Sequence, residues 1–111
     1  MLDTSPLTAV VERFADRLRA APQSRLQQGA AAAALELARE LSARAQRLEG
    51  VAVREMADAG LFVVGDQVAV AGLDLAEALR AVRAEDTATA PSEMLDEAVR
   101  LVEQAEVRAM R

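Results

Sequence analysis

The side chains with the most chemical potential in this sequence are carboxylates at helical spacing. Glu36 and Glu40 are four residues apart, Glu93 and Glu97 repeat that spacing, and Asp74 and Glu77 are three apart. Residues at i and i+3 or i+4 share one face of a helix, so each pair would present two carboxylates together. Such pairs suit Mg²⁺, which takes oxygen ligands and can polarise a phosphoryl oxygen or activate a water. The same pairs lie beside Arg39, Arg80 and Arg100, the interleaving of charge found on solvated helix faces. Glu36 and Glu40 also flank the apolar stripe of their segment and do not sit at its centre.

In their spacing these pairs resemble the carboxylates of all-α nucleotide pyrophosphohydrolases. The resemblance implies a Mg²⁺-dependent hydrolase using Glu36, Glu40, Asp74 and Glu77. A second resemblance is carried by Val53-Arg54-Glu55-Met56-Ala57-Asp58-Ala59-Gly60-Leu61-Phe62, which is similar to the recognition-helix-to-wing passage of winged-helix regulators. It covers about a fifth of the chain. A wing over Val63–Ala71 would contain no arginine and would carry Asp66 at its tip, where phosphate contacts are made, so no residue is carried over from that family.

Other chemistries lack their parts. The chain has no Cys and no His, which removes disulfides, thiolates, imidazole bases and the commonest zinc ligands. Ser5, Ser24, Ser42 and Ser92 have no histidine to activate them, and Ser5, Ser24 and Ser92 read as helix caps. Gly60, Gly65 and Gly72 lack the spacing and the lysine of a phosphate loop. No catalytic, cofactor-binding or metal-ligating residue is therefore assigned.

Charge points away from nucleic acid. The net charge is −5, every basic residue is Arg, and residues 55–111 carry 5 Arg against 12 acids. An acidic chain with only two aromatics to stack on bases lacks the cationic face that nucleic acid requires. The most apolar stretch, Ala59 to Leu73, is interrupted by Asp66 and too short to span a bilayer. The start shows no basic region followed by an apolar one, so the expected location is the cytoplasm.

Carboxylates and apolar residues alike must be positioned by helices. Alanine-rich composition favours helix throughout. The first helix is expected over Pro6 to Ala21, with Ser5 as N-cap and Pro22 as its stop. The second is expected over Arg25 to Glu49, opened by a Ser24/Gln27 capping box and closed by Gly50. Its stripe is Leu26, Ala30, Ala33, Leu37, Leu41, Ala45 and Leu48, with Glu40 and Arg44 paired on the exposed side. Val53 to Ala59 reads as one or two further helical turns.

Two readings compete from residue 61 onward. In one, Asp66 caps a long helix to Ala84, with Val68, Ala71, Leu75, Leu79 and Val82 on its apolar face. In the other, residues 61–71 form a small β-hairpin, and Asp74 with Glu77 caps a later helix. Periodicity favours the helix. It places Gly72 in a helix interior, where Gly72→Ala should leave stability unchanged or raise it by up to about 1 kcal/mol. A last helix follows from Pro91 to about Met110, with a wide apolar face over Met94–Ala109.

The expected architecture is all-α, a four-helix bundle-like single domain over 1–111 with short connections. The expected function is non-enzymatic protein–protein interaction as a homodimer, with no nucleic acid and no membrane. Two surfaces suggest self-association. One is the small-residue run Gly29–Ala34, where a second backbone could approach closely; the other is the Met94–Ala109 face. A continuous 25-residue helix would also be a rod of roughly 38 Å, longer than a globule of this size is wide.

Overall fold

Four long helices account for most of the chain in the computed structural model, which describes Met1–Arg111. They are α1 (Ser5–Ala20), α3 (Ala31–Glu49), α4 (Val64–Ala81) and α5 (Pro91–Ala109), with a single turn α2 (Gln23–Arg25) before α3. There are no strands, and residues 61–71 are a 3₁₀ turn (Leu61–Val63) running into α4, not a hairpin. The long-helix expectation holds, but the helix starts two residues before Asp66, which is therefore not its cap, and it ends at Ala81, short of Ala84. Asp66 lies in the first turn and accepts from Arg19 Nε and Nη2 at 2.9 and 2.7 Å.

The expected serine caps are not made. The N-cap of α1 is Thr4, and its hydroxyl instead accepts from Arg80 Nη1 at 2.6 Å. Ser5 lies inside the helix, where its N–H and hydroxyl both donate to Asp3 Oδ1. Ser24 lies within α2, whose N-cap is Pro22, and Ser92 follows Pro91 with Ala90 as N-cap.

The second helix is broken, not continuous. At Gly29 φ is 132°, a left-handed-side value closed to most L residues, and the Ala31 N–H donates to Leu26 five residues back. Both sides of this wide turn still reach the core, through Leu26 and Ala30. The 38 Å rod therefore does not exist, and the molecule measures 46 × 26 × 16 Å.

Side-chain contacts fix the helix directions. Thr4 meets Arg80, Val11 meets Gly72, and Leu18 and Arg19 meet Gly65, so α1 and α4 are antiparallel. Arg44 meets Glu97, while Glu36 lies beside Arg108, so α3 and α5 are antiparallel. Leu35 lies near Val64, and Glu49 near Ala78, so α3 and α4 run parallel. Around the bundle the order is α1, α4, α3, α5, with α1 opposite α3 and α4 opposite α5.

Parallel neighbours need a return path. The 19 residues of α3 rise about 28 Å at 1.5 Å each. Residues 51–60 must climb back over that length, which about ten residues manage only when nearly extended, at roughly 3.3 Å each. Helical turns over Val53 to Ala59 would advance only about 10 Å. The segment is accordingly an extended strap without helix. It runs up the side of α3: Gln46 holds Arg54, Arg39 holds Met56, and Gly60 lies beside Ala32.

The core is one cluster of Leu, Val and Ala around Phe14. With so little bulk, helices must approach closely, and glycine permits this between α1 and α4. A Cβ on Gly72 would lie 2.5 and 2.7 Å from the two Val11 methyls, and one on Gly65 would lie 3.1 Å from the Ala15 carbonyl oxygen. This overturns the expectation for Gly72→Ala. The helix assignment is right, yet the missing Cβ is required by a neighbour and is not merely tolerated.

Candidate interaction surface

The sequence-derived carboxylates do not assemble. Glu36 and Glu40 line an open groove of about 450 Å³ between α3 and α5, together with Arg39 and Arg108. Asp74 and Glu77 line a different hollow, beside Glu49 at the C-terminal end of α3. No three carboxylates of the chain converge as a metal-holding group. Glu97 and Glu40 both turn to one cation: Arg44 Nη2 donates to Glu97 Oε1 at 2.9 Å, and its Nε lies 3.7 Å from Glu40. That guanidinium holds the Glu97 carboxyl below its ordinary range. These groups join α3 to α5, and Glu93 lies in the first turn of α5.

The two surfaces expected to mediate self-association are mostly used within the chain. Ala30, Ala31 and Ala34 of the small-residue run are buried in the core, and Gly29 is the break. Ala33, expected on the seam, is only half-buried. On α5, Leu95, Ala98, Val102, Ala105 and Ala109 are buried because the helix packs on both α1 and α3. Two neighbours explain a face wider than one helix would cover. Met94, Val99 and Leu101 of that face are half-buried, and the exposed Val107 lies on the opposite side of the helix.

A polar residue on this face escaped the sequence reading. Glu106 follows Val102 by one turn, on the buried side of α5, and its side chain is 7% exposed. Arg13 Nη2 donates to its Oε1 at 2.7 Å, and Arg17 Nη1 to its Oε2 at 3.1 Å. Burial pushes the Glu106 carboxyl up, but the hydrogen bonds and charges of Arg13 and Arg17 outweigh it and leave it below the ordinary range. Arg13 is correspondingly raised, chiefly by its hydrogen bond to Glu106. The signal was an acid one turn from a core valine, with two arginines at i and i+4 on the first helix.

Of the exposed large apolar residues, Met1, Val51, Val53 and Val107 are scattered, and the other four lie on α4 and the turn before it. Phe62 is 75% exposed, Val70 55%, Leu73 50% and Val63 38%. At about 100° per residue, Val63, Val70 and Leu73 fall within an arc of roughly 80°. The polar members of that arc are Asp66, which is neutralised by Arg19, and Glu77 toward the C-terminal end, with Asp74 at its margin. Leu61 and Val64, on either side of Phe62 and Val63 in sequence, line an apolar hollow of about 190 Å³ with Leu26, Ala31, Ala32 and Leu35. Scattered single apolar residues on a surface are ordinary, but four large ones along one edge, including one of only two aromatics, are not.

No helix is long and apolar enough to cross a membrane. Comparison with protein-family models, with curated proteins and with solved structures finds no match for this chain.

Proposed function

We propose that this chain is a non-catalytic helical module that self-associates as a homodimer through the Phe62–Leu73 edge of α4. The observation that carries the reading is the exposure of Phe62, Val63, Val70 and Leu73 together on one edge, whereas the other exposed large apolar residues, Met1, Val51, Val53 and Val107, are spread over the N-terminus, the strap and α5. A symmetric dimer uses the same patch twice, so a patch must complement itself. This one carries an exposed Phe62, whose sequence neighbour Leu61 lines an apolar hollow. Asp74 and Glu77 form the polar rim that such contacts usually have.

Sedimentation equilibrium at micromolar concentration tests the proposal. The expected mass is twice that of one chain, and Phe62→Glu or Val70→Glu is expected to reduce it to one chain without loss of helix content. Ala33→Leu, on the half-buried face of α3, is expected to leave association unchanged. A mass of one chain at every concentration overturns the dimer; a dimer unaffected by both glutamates moves the contact elsewhere.

A further inference from the structure

We propose that residues 51–59 form a hinged strap that lifts from the bundle as one unit, while α3 and α4 stay packed. Glycines with positive φ stand at both ends, Gly50 at 74° and Gly60 at 102°, with open space where a Cβ would point. Between them only Met56 packs against the core; the other side chains are exposed.

Three side chains of the bundle hold the strap by its backbone. Gln46 Oε1 accepts from the Arg54 N–H at 2.8 Å, Arg39 Nε donates to the Met56 carbonyl at 2.8 Å, and Gln67 Nε2 donates to the Ala57 carbonyl at 2.9 Å. Each bond exchanges readily for one to water. The closed state also carries a defect, since Gln67 Oε1 is buried without a partner. Lifting Ala57 admits water to it. By contrast, α3 and α4 bury their own apolar faces in the common core, which does not depend on the strap. Segments with few buried contacts and solvent-facing hydrogen bonds open below the global unfolding free energy. Lifting removes the Asp58 wall of the apolar hollow and uncovers Leu35 and Ala31 on α3, so the strap acts as a cover over that groove.

Native-state hydrogen exchange of the full chain by NMR tests this, with the Arg54 N–H as reporter. Arg39→Leu removes the tether at Met56 together with an ion pair to Glu55 at 3.4 Å, and Gln67→Leu removes the tether at Ala57; neither removes the bond at Arg54 itself. If the strap lifts as a unit, either variant lowers the protection of the Arg54 N–H by roughly two- to tenfold, one hydrogen bond's worth. Amides of Leu41 and Leu75 in the helices keep theirs. Protection at Arg54 that is unchanged in both variants means that the tethers fray independently and overturns the proposal. So does Arg54 exchange with the same urea dependence as Leu41 and Leu75, which would place its opening in global unfolding.

Discussion

Replacing Gly72 by alanine sets two effects against each other, and distances decide between them. Alanine in a helix interior is better than glycine by about 1 kcal/mol. Here the added methyl would meet Val11 Cγ1 at 2.5 Å, Cγ2 at 2.7 Å and Cβ at 3.0 Å. Val11 is 2% exposed and Gly72 is buried, so neither side chain nor helix can move into solvent to relieve the overlap. Overpacking of a tight core costs about 1–3 kcal/mol. Contacts as short as 2.5 Å place the cost in the upper part of that range, about 2–3 kcal/mol, so the expected net effect is a loss of about 1–2 kcal/mol. Val11→Ala alone loses two buried methyls and leaves a cavity, costing about 2 kcal/mol or more. In the double variant the new methyl occupies part of the vacated space. The tight Cβ–Cβ contact remains, so full recovery is not expected. The two changes should couple favourably by about 1 kcal/mol. The chain has no Trp or Tyr, so urea unfolding followed by far-UV circular dichroism is the suitable assay. A Gly72→Ala variant as stable as the wild type, or additive changes in the double variant, would refute the close approach of α1 and α4 at this point.

Gly29→Ala gives a second test of backbone geometry. A continuous second helix would gain about 1 kcal/mol from alanine, whereas the positive φ of 132° makes the same change unfavourable by about 1–3 kcal/mol. Unfolding curves read the sign directly, and a stabilised variant would restore the unbroken helix. Glu106→Gln should cost about 1 kcal/mol at neutral pH, a modest figure because Arg13 and Arg17 are half exposed and screened. The folded carboxyl lies below its ordinary value of 4.5, so its stabilising contribution is present above that pH and fades as pH falls through it. The gap between wild type and variant should therefore close in acid, and a gap independent of pH would count against the ion pair.

The helices were legible because their ends are marked by backbone chemistry that needs no tertiary context. Pro6, Pro22 and Pro91 bound helices wherever they occur, and Gly50 closes α3 with a φ of 74° as expected. Gly29 was hidden because a glycine among alanines does not by itself say whether it breaks a helix or is carried inside one. Alanine blurs the register further: it is apolar enough for the core and small enough for the surface. Ala33 and Ala34 were therefore indistinguishable in sequence, yet only Ala34 is buried. Serine caps failed for a related reason, since Thr4 and Asp3 compete for the same role at one helix start.

Features set by helix direction lay beyond local patterns. Nothing in residues 51–60 announces that α3 and α4 are parallel, yet that relation forces the segment to be extended and removes the helical turns. It also decides where the carboxylates go. Glu36 and Glu40 face the groove toward α5, while Asp74 and Glu77 lie near the far end of α3, so equal spacing in sequence does not bring them to one place. The exposed edge, by contrast, was implicit in the periodicity. Once Val68, Ala71, Leu75 and Leu79 are assigned to the core face of α4, Val70 and Leu73 must fall outside it. The informative residues were the apolar ones left over after the core was filled, and in an alanine-rich helix these are found by subtraction, because no motif marks them.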